Sequence, residues 1–134
     1  DAKKGIAQLG TDFERLVING KEHWFAQDGA LLKVAPNTAH LLPNYDEYGI
    51  GYKDRDAFYD PQQAAASGSR GNPVFRNLLL LNGRMVGTWD RALKRDAVAV
   101  VTSPFAPLAP GAHKAVDKAV QRYTAFLGLK HDRK

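Results

Sequence analysis

The sequence predicts an α+β fold, in which a helix and a hairpin precede a small antiparallel β-sheet or partial barrel covered by a C-terminal helix. Three observations predict it. Asn-Gly occurs twice between strand-forming segments, at Asn19-Gly20 and Asn82-Gly83, and a type I′ turn, with positive φ at both central residues, makes Asn-Gly the strongest short hairpin signal. From Ala112 to Leu127 the apolar residues Ala112, Ala115, Val116, Ala119, Val120, Tyr123, Phe126 and Leu127 share one helical face. With 134 residues, 44% apolar and 25% charged, the chain has the composition of one folded domain, or one with an appendage. That excludes collagen-like, low-complexity and wholly disordered chains.

Taken in order, Ala2 to Leu9 places Ile6 and Leu9 at helical spacing, with Lys3 and Lys4 outside, and Gly10 stops the segment. It reads as the last turns of a helix. Phe13 to Ile18 and Lys21 to Phe25 flank the first Asn-Gly, and on that pairing Arg15 faces Trp24. A helix followed directly by a hairpin is the second half of a winged helix. Leu31 to Ala35 suits a strand and Pro36-Asn37 breaks it, which predicts two domains, residues 1–36 (the end of a winged helix) and 37–134 (β-rich, with the C-terminal helix).

In the second part, Ala57 to Pro61 reads as a short helix or a turn, and Gln62 to Asn72, polar and small, as a mobile loop. Val74 to Leu81 and Arg84 to Leu93 form the second hairpin, Lys94-Arg95-Asp96 turns the chain, and Ala97 to Thr102 completes a three-stranded meander. Pro104, Pro107 and Pro110 introduce the last helix and Gly128 caps it. That helix is expected to cover the meander, and the tail from Lys130 to fray.

Several chemistries are excluded early. There is no cysteine, hence no disulfide scaffold and no thiolate nucleophile or ligand, and a reducing compartment is acceptable. Histidines 23, 40, 113 and 131 have no ligand spacing, so no metal and no other cofactor is expected. Ser67 and Ser69 lack a nucleophile elbow, and Gly68-Ser69-Arg70-Gly71 lacks P-loop spacing. No aliphatic run exceeds Ala97 to Val101 and no leader opens the chain, so a soluble, untargeted, cytoplasmic protein away from membranes is expected.

The net charge of +5 is concentrated. Arg70, Arg76, Arg84, Arg91, Lys94 and Arg95 stand against Asp90 alone between positions 70 and 95, while Asn44 to Asp60 carries −3. A basic block suits a polyanion, since each neutralised phosphate releases condensed counterions; it also suits a solvated face paired with the acidic segment. A two-residue turn pairs Leu80 with Met85, Leu78 with Gly87, and Arg76 with Trp89, which sets Trp89 between Arg76 and Arg91. Two readings are open: a structural cation–π stack, or a nucleic-acid surface in which the ring takes a base and the arginines take phosphate. Gly87 leaves space beside that ring. Lys21, near the tip of the first hairpin, is either a phosphate contact of a wing or a solvated turn lysine. Asp46 and Glu47 point to opposite faces of an extended segment and so form no acid/base pair; the structural reading has one of them meet Arg55 or a backbone amide and hold Tyr45 and Tyr48 in the core.

His40 to Tyr48 (HLLPNYDEY), Gly51-Tyr52-Lys53-Asp54-Arg55, Val74-Phe75-Arg76, Asn82-Gly83-Arg84, Val86-Gly87-Thr88-Trp89 and Pro104 to Leu108 (PFAPL) follow one another in an order that resembles the C-terminal portion of the bacterial winged-helix DNA-binding domain family, itself related to crosslink-repair DNA glycosylases. The resemblance runs from about Trp24 to Leu127. It implies tandem winged helices on the N-terminal side of a full-length relative, and double-stranded DNA as partner. The catalytic Gln-x-Gln of the glycosylase members has no counterpart here, and Asp46-Glu47-Tyr48 with Arg55 looks more like the branch named for DNA binding. No catalytic residue is therefore carried over.

The expected function is a non-catalytic DNA-binding or accessory domain connected with DNA repair or regulation. Arg76, Arg84, Arg91, Lys94 and Arg95 would contact phosphate, Lys21 would do so from the wing, and Trp89 would stack or support. The alternatives are a structural cap on N-terminal winged helices, without DNA contact, or the duplex-holding part of a glycosylase.

Overall fold

A computed structural model describes residues 2–8, 12–18, 20–27, 35–68 and 72–132. The chain forms two compact units, Asp1–Lys33 and Val34–Lys134. The first contains helix α1 (Ala2–Gln8) and an antiparallel pair, β1 (Phe13–Ile18) with β2 (Lys21–Ala26). Ile18 pairs with Lys21 and Arg15 with Trp24, and Gly20 has the positive φ of 75° that the turn requires. Arg15 also reaches Glu22 at 2.7 Å. The expected strand at Leu31 to Ala35 lies almost wholly outside the described residues.

The second unit is built on a curled five-stranded sheet in the order β3 (Ala39–Leu42), β4 (Leu78–Leu81), β5 (Arg84–Leu93), β6 (Ala97–Pro104), β7 (Lys130–His131). Every neighbouring pair is antiparallel except β6 with β7. Helices α2 (Glu47–Ile50) and α3 (Pro61–Ala66) and a 3-10 turn (Pro73–Phe75) lie between β3 and β4, and α4 (Pro110–Leu127) between β6 and β7. The fold is therefore the α+β arrangement expected, and β7 corrects the expectation of a frayed tail. Lys130 N–H donates to Asp96 O and Asp132 N–H to Val98 O, so the C-terminal segment clamps the turn between β5 and β6.

Four consecutive leucines form β4 because the sheet is covered on both sides, which removes the need for alternation. Leu78 and Leu80 pack with Phe58, Ala64, Met85 and Phe105, whereas Leu79 packs with Ala39, Ala115, Val116 and Ala119. Helix α4 thus covers one face of the sheet, over Ala39 and Leu79, and the segment from Phe58 to Ala64 covers the opposite face, over Leu78 and Leu80. Burial, with the adjacent Asp60 carboxylate adding to it, pushes the Tyr59 hydroxyl above its ordinary pKa. Pro110 opens α4 and Gly128 closes it at φ 66°, its N–H and that of Leu129 returning to the last turn. Phe126, expected in the buried face, is 85% exposed.

The segment read as a loop from Gln62 contains α3, because Asp60 accepts hydrogen bonds from Gln62 N (2.9 Å) and Gln63 N (3.1 Å) and Pro61 stands at the first helical position. An Asp60→Ala substitution is expected to cost about 1 kcal/mol, read as a lower urea midpoint at unchanged m-value.

Candidate nucleic-acid interface

Strand β5 and the turn that follows it carry four of the six residues of the basic block. Arg84 stands at its start, beside the Asn82-Gly83 turn, with Arg91 in its distal half and Lys94 and Arg95 in the turn beyond. A strand rises about 3.3 Å per residue, so Arg84 lies roughly 30 Å from Lys94. The candidates do not converge on one point. All five of Arg76, Arg84, Arg91, Lys94 and Arg95 are exposed, and Arg70 lies outside the described residues. The partners differ from those expected of the acidic segment: Arg76 Nη2 pairs with Asp90 Oδ2 at 3.2 Å, Lys94 Nζ pairs with Asp132, and Arg91 donates to the Tyr123 hydroxyl.

Trp89 is not where a straight ladder puts it. Leu81 pairs with Arg84 and Leu80 with Met85 as the two-residue turn dictates, at φ 52° and 76° for Asn82 and Gly83, but the next pair is Leu79 with Gly87. Val86 is the extra residue of a β-bulge, which exchanges the faces of every side chain after it. Other segments take up its surroundings: Met85 N–H donates to Phe58 O and Phe105 N–H to Val86 O. Trp89 consequently turns inward, is 3% exposed, and donates from Nε1 to Leu42 O at 2.8 Å. The arginine stack expected around it is absent among the described residues. Instead the Tyr123 ring meets Trp89 edge to face at 5.0 Å and carries the Arg91 guanidinium 5.7 Å from its centroid. Trp89 presents no exposed ring face on which a base could stack. Gly87 likewise leaves no free space, since a Cβ there would lie 2.5 Å from Ser103 O.

A groove opens where β5 outruns β4. From Asp90 onward β5 pairs with β6 alone, and the chain around Asn44 and Asn77 fills in beside it. The groove, about 370 Å³, is lined by Asn44, Tyr45, Phe75, Arg76, Asn77, Asp90 and Arg91. Asn77 braces it: its Oδ1 accepts from Asn44 N (2.8 Å) and its Nδ2 donates to Trp89 O (3.1 Å). Tyr45 is 63% and Phe75 45% exposed, with ring centroids 6.0 Å apart. Both rings escape a reading of the sequence, which expects Tyr45 in the core; the available signal was the pair of aromatics flanked by asparagine and arginine.

The acidic motif is structural in its observed contacts. Asp46 caps α2 by accepting from Tyr48 N at 2.9 Å, and Arg55 Nε donates to the Gly49 carbonyl at 2.8 Å. Glu47 begins the helix and its carbonyl receives Gly51 N–H. Tyr48 is not core but half-exposed, and its hydroxyl donates to Gly83 O at 2.7 Å. In the first unit Lys21 begins β2 and is exposed. Among the described residues no group of three or more His, Asp or Glu is placed to hold a metal, and no helix is long and apolar enough to cross a membrane.

One unit with a curled sheet and one long covering helix, and a separate unit of helix and hairpin, define a two-unit α+β protein with a basic strand. The chain belongs to the family described as DNA glycosylase AlkZ-like, whose model matches residues 1–126. The relation to DNA-repair glycosylases expected from the motifs therefore holds. The chain is also similar to the structure of the Streptomyces sahachiroi DNA glycosylase AlkZ, at 22% identity and a TM-score of 0.64, covering 97% of this chain and 36% of that one. This likeness is one of fold, and the chain spans about a third of that protein's length. No curated protein matches the chain.

Proposed function

We propose that this chain is the accessory, duplex-holding portion of a DNA-repair glycosylase, and we assign it no catalytic residue. One observation carries the reading: in a chain of a DNA glycosylase family, the basic side chains of β5 and its turn are exposed along a single strand. Exposed guanidinium and ammonium groups spaced along a strand can follow a sugar-phosphate backbone, each neutralised phosphate adding to affinity through counterion release. In the same proposal α1 with β1 and β2 is the second half of a winged helix, and Lys21, beside the hairpin tip, reaches phosphate from the wing. The domain division at residues 36 and 37 belongs to this reading.

A second reading is favoured by a specific feature of the hairpin. Leu16, Val17, Ile18, Trp24 and Phe25 are all exposed, more apolar surface than a solvated hairpin normally shows. That suits a face packed on further winged-helix domains of the same protein, and a structural cap needs no DNA.

A labelled 20-base-pair duplex titrated across a salt series separates the two. The chain is expected to lose affinity steeply between about 50 and 200 mM salt. Combining Arg84→Glu, Lys94→Gln and Arg95→Glu is expected to lower the log–log salt slope by about 3 and weaken binding at least tenfold. Lys94→Gln avoids setting a second acid against Asp132. Unchanged affinity in this variant sinks the phosphate contacts, and no duplex binding by the parent chain at low salt leaves the cap.

A further inference from the structure

The groove beside β5 combines features that phosphate binding alone does not need. Two aromatic rings stand exposed next to each other, in a wall otherwise made of two asparagines, two arginines and one aspartate. Tyr45 is held at φ 57°, a left-handed conformation uncommon for a bulky side chain and concentrated at functional positions. The preceding residue is pinned by the Asn44 to Asn77 hydrogen bond. Phe75 ends a 3-10 turn capped by Asn72, whose Oδ1 accepts from Val74 N at 3.1 Å. Local backbone structure, not burial, therefore presents both rings.

We propose that Tyr45 and Phe75 form a stacking platform for an unpaired DNA base, whose neighbouring phosphate is taken by Arg76 and Arg91. The proposal rests on the duplex-binding reading above and extends it to a second kind of contact. Base–aromatic stacking needs a π-face freed from the duplex, because a paired base presents only its edges. The rings are 6.0 Å apart and tilted by 38°, closer than the roughly 7 Å that one base inserted between two stacked partners requires, at 3.4 Å per step. The base accordingly lies across the outward ring faces. The amide groups of Asn44 and Asn77 line the same groove and suit the edge of a base better than an apolar protein side chain. Asp90 holds Arg76 through an exposed pair, and such a pair exchanges readily for a phosphate; with Arg91 the groove keeps one excess positive charge.

The test compares a flush duplex with the same duplex carrying one unpaired 2-aminopurine, against the full 134-residue chain. The parent chain is expected to bind the bulged duplex about 5- to 100-fold more tightly, the range that one stacked base supplies, and to quench the 2-aminopurine fluorescence. Tyr45→Ala with Phe75→Ala is expected to abolish the preference and the quenching while leaving flush-duplex affinity unchanged. Tyr45→Phe with Phe75→Tyr is expected to retain both, which separates loss of stacking from loss of fold. Equal binding of the two duplexes by the parent chain, or a preference that survives the alanine pair, overturns the platform and leaves the duplex-binding reading standing. No binding of either DNA at low salt overturns both.

Discussion

Trp89→Ala is expected to destabilise the second unit by about 3–5 kcal/mol, the usual cost of truncating a buried tryptophan. Small domains are stable by only about 5–15 kcal/mol, so this single change removes a large share of the margin. The reason is position. Trp89 is buried, its ring packs edge to face with Tyr123, and its indole N–H satisfies the Leu42 carbonyl of β3. Trp89→Phe keeps most of the ring volume and loses the donor, and is expected to cost about 1–3 kcal/mol, as for a buried acceptor left without its partner. Urea unfolding followed by circular dichroism reads both. A fully stable Trp89→Ala protein that only loses DNA affinity would restore the ring as a nucleic-acid contact.

The second large effect is expected at Gly87. An added Cβ would meet Ser103 O at 2.5 Å, Pro104 Cα at 2.7 Å and Ser103 C at 3.0 Å. All three atoms are backbone, so no rotamer relieves the contact and β6 itself must move. Gly87→Ala is expected to cost about 1–3 kcal/mol, the range of overpacking in a well-packed interior. Because Gly87 pairs with Pro104 at the root of the β5–β6 arm, the damage should spread along that arm. Amide exchange at Trp89 to Leu93 is expected to accelerate more than exchange in α4. Equal acceleration throughout the unit would show that the arm is not a separate cooperative element.

These two residues mark where a sequence reading stops. The Asn-Gly turn gave the correct first two pairs of the β4–β5 ladder, Leu81 with Arg84 and Leu80 with Met85. The bulge at Val86 then reversed the faces. No local propensity announces that bulge, since its backbone groups are satisfied by Phe58 and Phe105, residues 28 positions before and 19 after it in the chain. The helix α3 was legible in principle, because Asp60-Pro61 is a helix-start signal that the small, polar residues after it obscured. The groove was not: Asn44-Tyr45 and Phe75 to Asn77 are some thirty residues apart, and they meet through one asparagine side chain.

What the sequence determined by itself was the local structure with a short-range cause. Both hairpin turns follow from the φ demands of Asn-Gly, and α4 follows from its apolar spacing, with Pro110 and Gly128 at its ends. The concentration of positive charge between residues 70 and 95 was likewise countable. Tertiary structure decided which of those residues face outward. Burial of both sheet faces selected the bulge, and the bulge turned Trp89 into the core. The β7 strand fastened Lys94 to Asp132, and the asparagine brace left Tyr45 and Phe75 exposed. Each of these outcomes depends on contacts between distant segments, and a side chain's face within a strand reverses with a single inserted residue.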